Sequence, residues 1–327
     1  MSKLRLLILV LGPIPIVGAC LAVTDWLRPL DSAQVPRNLI VRRQSATGAL
    51  AAEVFSPANL TVDHSSSLAR RCEQAASGLR DQLGPLCSAI VRPPFVIAGD
   101  MNAAELAQWH DRTIGPAARA MAHAYFKIPP SQPITVLLFG TERSYTDFAK
   151  KLFNEEGISI YGYYKPARRT LVMNISTGGG TLLHELTHAL MAFDCPEVPD
   201  WLNEGLASLH EQCCFREDSA GAWIEGMENW RLDGLQRVVR QKRLRSLESL
   251  ITGDDFRGQL EGVNYAQARY FFLYMQRQGV LRAFYDEYRS NRIQDESGAR
   301  AVLKMFPGMS WAQLDHAFQA WLMTLGR

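Results

Sequence analysis

The chain of 327 residues is 47% hydrophobic and 9% aromatic, enough to bury a real core in one large domain or two lobes and too much for wholesale disorder. Its 35 basic and 33 acidic residues leave a formal charge of +2 and are scattered along the sequence, so the composition gives no support to a nucleic-acid partner. At the N-terminus Lys3 and Arg5 precede an uncharged run from Leu6 to Val23, the pattern of an export signal. The run of 18 residues is also long enough for a single membrane anchor, although Pro13 and Pro15 interrupt it. Residues 24–92 read as a linker and accessory region, with a strand at Asn38–Arg42 and a helix from Leu68 to Leu83 that Gly84-Pro85 closes. Two short apolar strands follow, Pro94–Ala98 and Pro133–Phe139, separated by a helical stretch from Ala103 to Tyr125 broken only by Pro116. Thr141 is placed to cap a helix reaching Phe153. A hairpin is expected from Tyr161–Lys165 and Thr170–Ile175, turning at Pro166-Ala167-Arg168, before three glycines, Gly178 to Gly180, break the chain. Helical segments are then expected at 200–213, 222–241, 264–278, 279–290, 296–305 and 310–325. Strands first and helices later predict an α+β fold: a small mixed-sheet lobe, a central helix and a mostly helical C-terminal lobe, with a cleft between the lobes. The expected organisation is a signal or anchor segment at 1–23, the accessory region at 24–92 and one large domain at 93–327.

Val17-Gly18-Ala19-Cys20 resembles the lipobox of bacterial lipoproteins, in which the cysteine is lipidated. A lipid anchor, an uncleaved membrane anchor and ordinary secretion all place the body of the chain outside the cytoplasm, with the periplasmic side of the cell envelope expected; a buried helix is the fourth reading of this segment. An oxidising compartment permits a Cys72–Cys87 bridge and one from Cys195 to Cys213 or Cys214, while reduced, partly buried thiols are the alternative. No Cys-x-x-Cys pair is present to suggest a cysteine metal site.

The chemistry concentrates in Thr181–Leu190 (TLLHELTHAL). On a helix, positions i and i+4 lie on one face about 5–6 Å apart. His184 and His188 can therefore both present a ring nitrogen to one metal ion, and the apolar residues around them argue that the helix is buried. Two histidines and a glutamate buried together are costly unless paired or metal-bound. Glu185, turned about 100° from His184, does not point at the metal but can take a proton from a water held there. A third ligand is expected from the next helix, begun by Pro199-Asp200, on which Glu204 lies between Leu202 and Leu206. Asp200 is the competing candidate. Two histidines and one carboxylate make an open, catalytic set.

His184-Glu185-Leu186-Thr187-His188 followed by Trp201-Leu202-Asn203-Glu204-Gly205-Leu206-Ala207 resembles the gluzincin zinc metallopeptidases, also called peptidase MA-like, over about residues 94–327. The resemblance implies a thermolysin-like catalytic architecture and one Zn2+ per chain on His184, His188 and Glu204, with Glu185 as general base. It also implies an electrophilic helper from the helical lobe, for which Tyr265, beside a capping Asn264, is the best match and Tyr270 the second. In similar enzymes an edge strand in the place of Thr170–Ile175 grips extended peptide by backbone pairing; an ordinary sheet edge is the plainer reading. No Gly-Ala-Met-Glu-Asn motif precedes the zinc helix, which disfavours an aminopeptidase. Ser208, Glu211, Asp194, Asp200 and Asn203 are candidates to support the ligands. His210, about 240° round the helix from Glu204, is not expected to be a ligand, and His64, His110, His123 and His316 read as structural or surface residues. The sequons at Asn59 and Asn174 carry no meaning in a bacterial envelope protein. The expected function is an envelope zinc endopeptidase acting on peptide or protein substrates; a metal-binding scaffold on the membrane and hydrolysis of a non-peptide amide are the alternatives.

Overall fold

The computed structural model describes residues 62–218 and 221–326. The segment 1–23 with Cys20, the strand expected at Asn38–Arg42 and the sequon at Asn59 lie outside them. No described helix is long and apolar enough to cross a membrane.

The fold is mixed α+β. A five-stranded sheet is built from β1 (Ser88–Arg92), β2 (Phe95–Gly99), β3 (Ile134–Phe139), β4 (Gly162–Lys165) and β5 (Thr170–Asn174) in the order β1-β2-β3-β5-β4. The three central strands run parallel and the two edges antiparallel. Strand β1, not foreseen, pairs with β2 along its whole length, so the sheet crosses the boundary expected at residues 92–93. The alternation of side chains along the strands divides the core. Ile97, Val136, Leu138, Leu171 and Met173 face one side, with Leu182 and Leu186, while Ala98, Leu137, Phe139 and Val172 face the other, with Leu83 and Tyr145. The helices α1 (Val62–Leu83) and α4 (Glu142–Phe153) serve that second face, and Thr141 caps α4 as expected.

The segment Thr170–Ile175, expected at an edge, is interior. β3 pairs with its strand Thr170–Asn174 on one side and β4 on the other, and all five residues of that strand are buried. Such a near-continuous apolar run belongs to a strand covered on both faces. The edge is β4, whose Tyr163, Tyr164 and Lys165 are half-buried.

The stretch Ala103–Tyr125 forms α2 (Ala103–Trp109) and α3 (Gly115–Ala124), joined by a π-helical turn at His110–Ile114. There the Gly115 N–H reaches back to His110 O, a wider turn that accommodates Pro116, which has no N–H to donate. The third of the three glycines opens α5 (Gly180–Asp194), and α6 (Asp200–His210) follows. The expected 200–213 helix ends early, and the expected 222–241 helix divides. A hairpin of β6 (Cys213–Asp218) and β7 (Gly221–Gly226) precedes α7 (Arg231–Arg240). The helical lobe is therefore not purely helical, because alternating Ala222 and Ile224 bury one face of β7 while its turn opens at Gly221, φ 113°. The remaining helices are α8 (Leu247–Thr252), which sequence periodicity missed, α9 (Glu261–Arg277), α10 (Leu281–Asn291), α11 (Ala299–Met305) and α12 (Trp311–Leu322).

Five cysteines, Cys72, Cys87, Cys195, Cys213 and Cys214, are free, the reduced alternative, and neither permitted bridge is formed. Burial pushes the Cys72 and Cys195 thiols up to about 11, which keeps them protonated and unreactive.

Helices α6 and α9 pack with Gly205 against Phe272: a Cβ there would stand 2.6 Å from the Phe272 ring and 3.4 Å from the Ala268 Cβ. This closeness explains glycine directly after Glu204. Gly205→Ala is expected to lower unfolding stability by about 1–3 kcal/mol, the cost of overpacking a close contact. Denaturant titration checks this, and an unchanged midpoint contradicts the packing.

Candidate metal centre

Helix α5 is buried on nearly every side, and its i, i+4 spacing brings the His184 and His188 rings to a centroid distance of 4.7 Å. The chain then turns through Cys195–Val198 and Pro199, and α6 runs back beside α5, carrying Glu204 to the same point. His184 Nε2 and His188 Nε2 are 3.0 Å apart, and Glu204 Oε2 lies 3.2 Å from the first and 3.5 Å from the second. His184, His188 and Glu204 form a group able to hold a metal ion.

The fit can be tested on the atoms themselves. His188 Nδ1 donates to Asn203 Oδ1 at 2.8 Å, which leaves its Nε2 as the lone-pair nitrogen. His184 Nδ1 lies 3.2 Å from Glu211 Oε1, an ion-pair contact without the alignment of a hydrogen bond. Glu211 is itself gripped by both terminal nitrogens of Arg231, at 2.8 and 3.1 Å. Each ring thus turns Nδ1 outward to a support and Nε2 inward. The buried Glu204 Oε2 has no aligned hydrogen bond of its own. Three acceptors on a triangle of 3.0, 3.2 and 3.5 Å match the edge of about 3.3 Å that four-coordinate bonds of about 2.0–2.1 Å require. The donor set, nitrogen and carboxylate oxygen, suits a borderline divalent ion.

The electrostatics agree. Burial opposes a charge on His184, but Glu204 and Glu211 outweigh it and hold its pKa at about 10 in the metal-free protein. Burial also disfavours the Glu204 anion, yet His184 and His188 keep its carboxyl well below the usual range. Burial pushes Glu185 up; the imidazoles pull it back, while Glu204 and Glu211 add to the rise. A raised carboxyl near two bases is poised to accept and release a proton.

The other candidates separate. Of the five proposed supports, Asn203 and Glu211 touch the histidines. Asp194 instead accepts from the Lys127 and Ile128 amides and from Tyr285 OH. Ser208 Oγ is buried without a hydrogen bond. Asp200, the competing ligand, pairs with Arg257 at 3.2 Å. Asn264 does not cap α9: it lies within the helix, fully buried, donating to Phe256 O at 2.8 Å. Tyr265 is consequently not at an exposed end. It sits half-buried against Phe256, close enough to Glu204 for that carboxylate to help burial raise its pKa. Tyr270 is spent elsewhere, donating to Asn229 O and accepting from Asn229 N–H, each at 3.0 Å. His210 is fully buried, bonds Thr187 at 2.9 Å and is pushed down to about 3 by burial and by Arg269, so it stays neutral and outside the triangle, as expected.

Two arginines escaped the sequence reading. Arg231 buttresses Glu211, and Arg257 donates to Glu204 Oε1 at 2.6 Å. Each lies in or beside a loop, where no periodicity marks it. A cavity of about 230 Å3, lined by Asp200, Trp201, Leu250, Asp254 and Phe256 among others, opens one helical turn from Glu204. No family model matches the chain, and no curated protein is similar to it in sequence.

Proposed function

We propose that the chain is a zinc-dependent metallopeptidase of gluzincin type, with a thermolysin-like arrangement of its catalytic lobes, that hydrolyses peptide bonds and favours internal ones. The observation that carries the reading is the convergence of two Nε2 atoms and Glu204 Oε2 on one point, with a partly buried glutamate next in sequence to the first histidine. Zinc held by His184, His188 and Glu204 would polarise a bound water and the substrate carbonyl.

Every other role falls to the chain. Glu185 accepts the water proton and passes it to the leaving amine, a task helped by its raised carboxyl pKa. Asn203 and Glu211 keep the imidazoles turned so that Nε2 faces inward. Tyr265, held protonated by burial and by Glu204, donates a hydrogen bond from its O–H to the developing oxyanion. The edge strand β4, which packs beside α5, offers backbone groups to an extended substrate, taking the role first expected of Thr170–Ile175. The cavity beside Asp200 has room for a substrate side chain. The envelope location rests on the basic and apolar pattern of residues 1–23 and the sequence around Cys20.

The test is chelation. Purified protein is expected to carry one zinc per chain and to cleave members of an unstructured peptide library. Removal of metal abolishes cleavage and stoichiometric zinc restores it. A protein that binds zinc but cleaves no peptide supports the scaffold reading instead.

A further inference from the structure

The loop between α8 and α9 delivers Arg257 to the outer side of Glu204. One terminal nitrogen, Nη2, donates to Glu204 Oε1 at 2.6 Å, while Glu204 Oε2 faces the two imidazoles. The same guanidinium reaches Asp200 Oδ2 through Nε at 3.2 Å and Tyr265 OH through Nη1 at 3.0 Å. Asp200 and Glu204 are four residues apart on α6, so both present to the loop that carries Arg257. Asp200 thereby acquires a purpose other than coordination: it anchors the fork that holds Glu204.

A carboxylate ligand can offer a metal one oxygen or two. Turning Oε1 of Glu204 toward the imidazoles would break a short, charge-assisted hydrogen bond. The donor cannot follow easily, because its other nitrogens are tied to Asp200 and Tyr265. The Glu204 side chain is 5% exposed, so no solvent competes for Oε1 at low cost. We propose that Arg257 is a positioning residue that holds Glu204 as a one-oxygen ligand, keeping a coordination position open for solvent, and sets the Tyr265 hydroxyl beside it. The inference rests on the metal reading above. It requires arginine specifically, since a lysine ammonium is a point charge on a flexible stem and cannot span three partners with a planar fork.

The experiment replaces zinc by Co2+, whose visible spectrum reports coordination number, in the wild type, Arg257→Ala, Arg257→Lys and Arg257→Gln. Four-coordinate Co2+ absorbs strongly; a second carboxylate oxygen bound beside the solvent raises the coordination number and weakens the bands, and one that displaces the solvent shifts them. The expected result is weakened, shifted bands in the Ala and Lys variants, with Co2+ affinity about 10–100-fold lower, the usual cost of losing a partner behind a ligand. Melting of the metal-free proteins identifies which variants are folded. Should Arg257→Ala fail to fold, Arg257→Gln, which keeps one amide donor of shorter reach, is read in its place. Folded variants with wild-type bands and affinity overturn the positioning role while leaving the metal site standing. A wild type that takes up neither Co2+ nor zinc overturns the metal reading and this inference together.

Discussion

Glu185→Gln is expected to lower kcat/KM for peptide cleavage by about 10²–10⁴-fold while leaving one zinc bound per chain, the range that a general base contributes. Glutamine keeps the volume and polarity of the side chain but cannot accept the proton. Glu185 is not part of the ligand triangle, so metal content has no reason to change. Stability moves in the opposite direction from activity. Burial raises the Glu185 pKa above its unfolded value, so the folded state binds that proton more tightly, and stability falls as pH rises from the unfolded pKa through the folded one. At neutral pH the metal-free wild type bears that cost, with Glu204 and Glu211 adding repulsion, and Glu185→Gln is relieved of it. The variant is therefore predicted to be about 10²–10⁴-fold slower, fully metallated and no less stable. Steady-state rates, metal analysis and thermal melts on one preparation check all three. Cleavage at the wild-type rate with zinc in place removes Glu185 as the base.

The parts of the site that could be read from sequence are those fixed by local geometry. The spacing of His184 and His188 is a property of any helix, and their flanking leucines reveal burial. Glu204 was legible because a short connection returns α6 onto α5. What escaped depends on long-range closure. Arg257 lies 53 residues from Glu204, and Arg231 is 20 from Glu211. Neither belongs to a pattern that marks a partner. Asn264 looked like a cap because the chemistry fits, but α9 begins three residues earlier and buries it. Strand order is likewise a tertiary fact: Thr170–Asn174 reads as a strand from its composition, whereas its interior position follows from the pairing of β3 and β4 on either side. Strand β7 falls within the helix expected at 222–241 because its pairing is a tertiary fact, supplied by β6 and by Gln276, whose amide bonds both the N–H and the C=O of Gly226.

Zinc is expected to stabilise the wild type and to leave Glu204→Ala almost unmoved. At free zinc 100-fold above its dissociation constant the gain is about 2.7 kcal/mol, since only the folded chain assembles the triangle. The gain depends on pH with a sign set by His184. Its folded pKa of about 10 exceeds the unfolded 6.5, so in the metal-free protein this proton contributes stability that is full below 6.5 and is lost as pH rises through 10. Zinc must displace the same proton, so its affinity strengthens by about tenfold per pH unit on approaching that pKa. Melts at pH 6 and pH 8 should show a larger zinc shift at pH 8. Glu204→Ala removes an anchoring oxygen and one of the two carboxylates that hold the His184 proton, leaving Glu211 as its partner. Metal-free Glu204→Ala should accordingly lose more stability at pH 6 than at pH 10, where His184 is losing its charge in the wild type. A zinc shift of wild-type size in Glu204→Ala takes residue 204 out of the ligand set, and with it the open two-histidine, one-carboxylate centre on which the proposed hydrolysis rests.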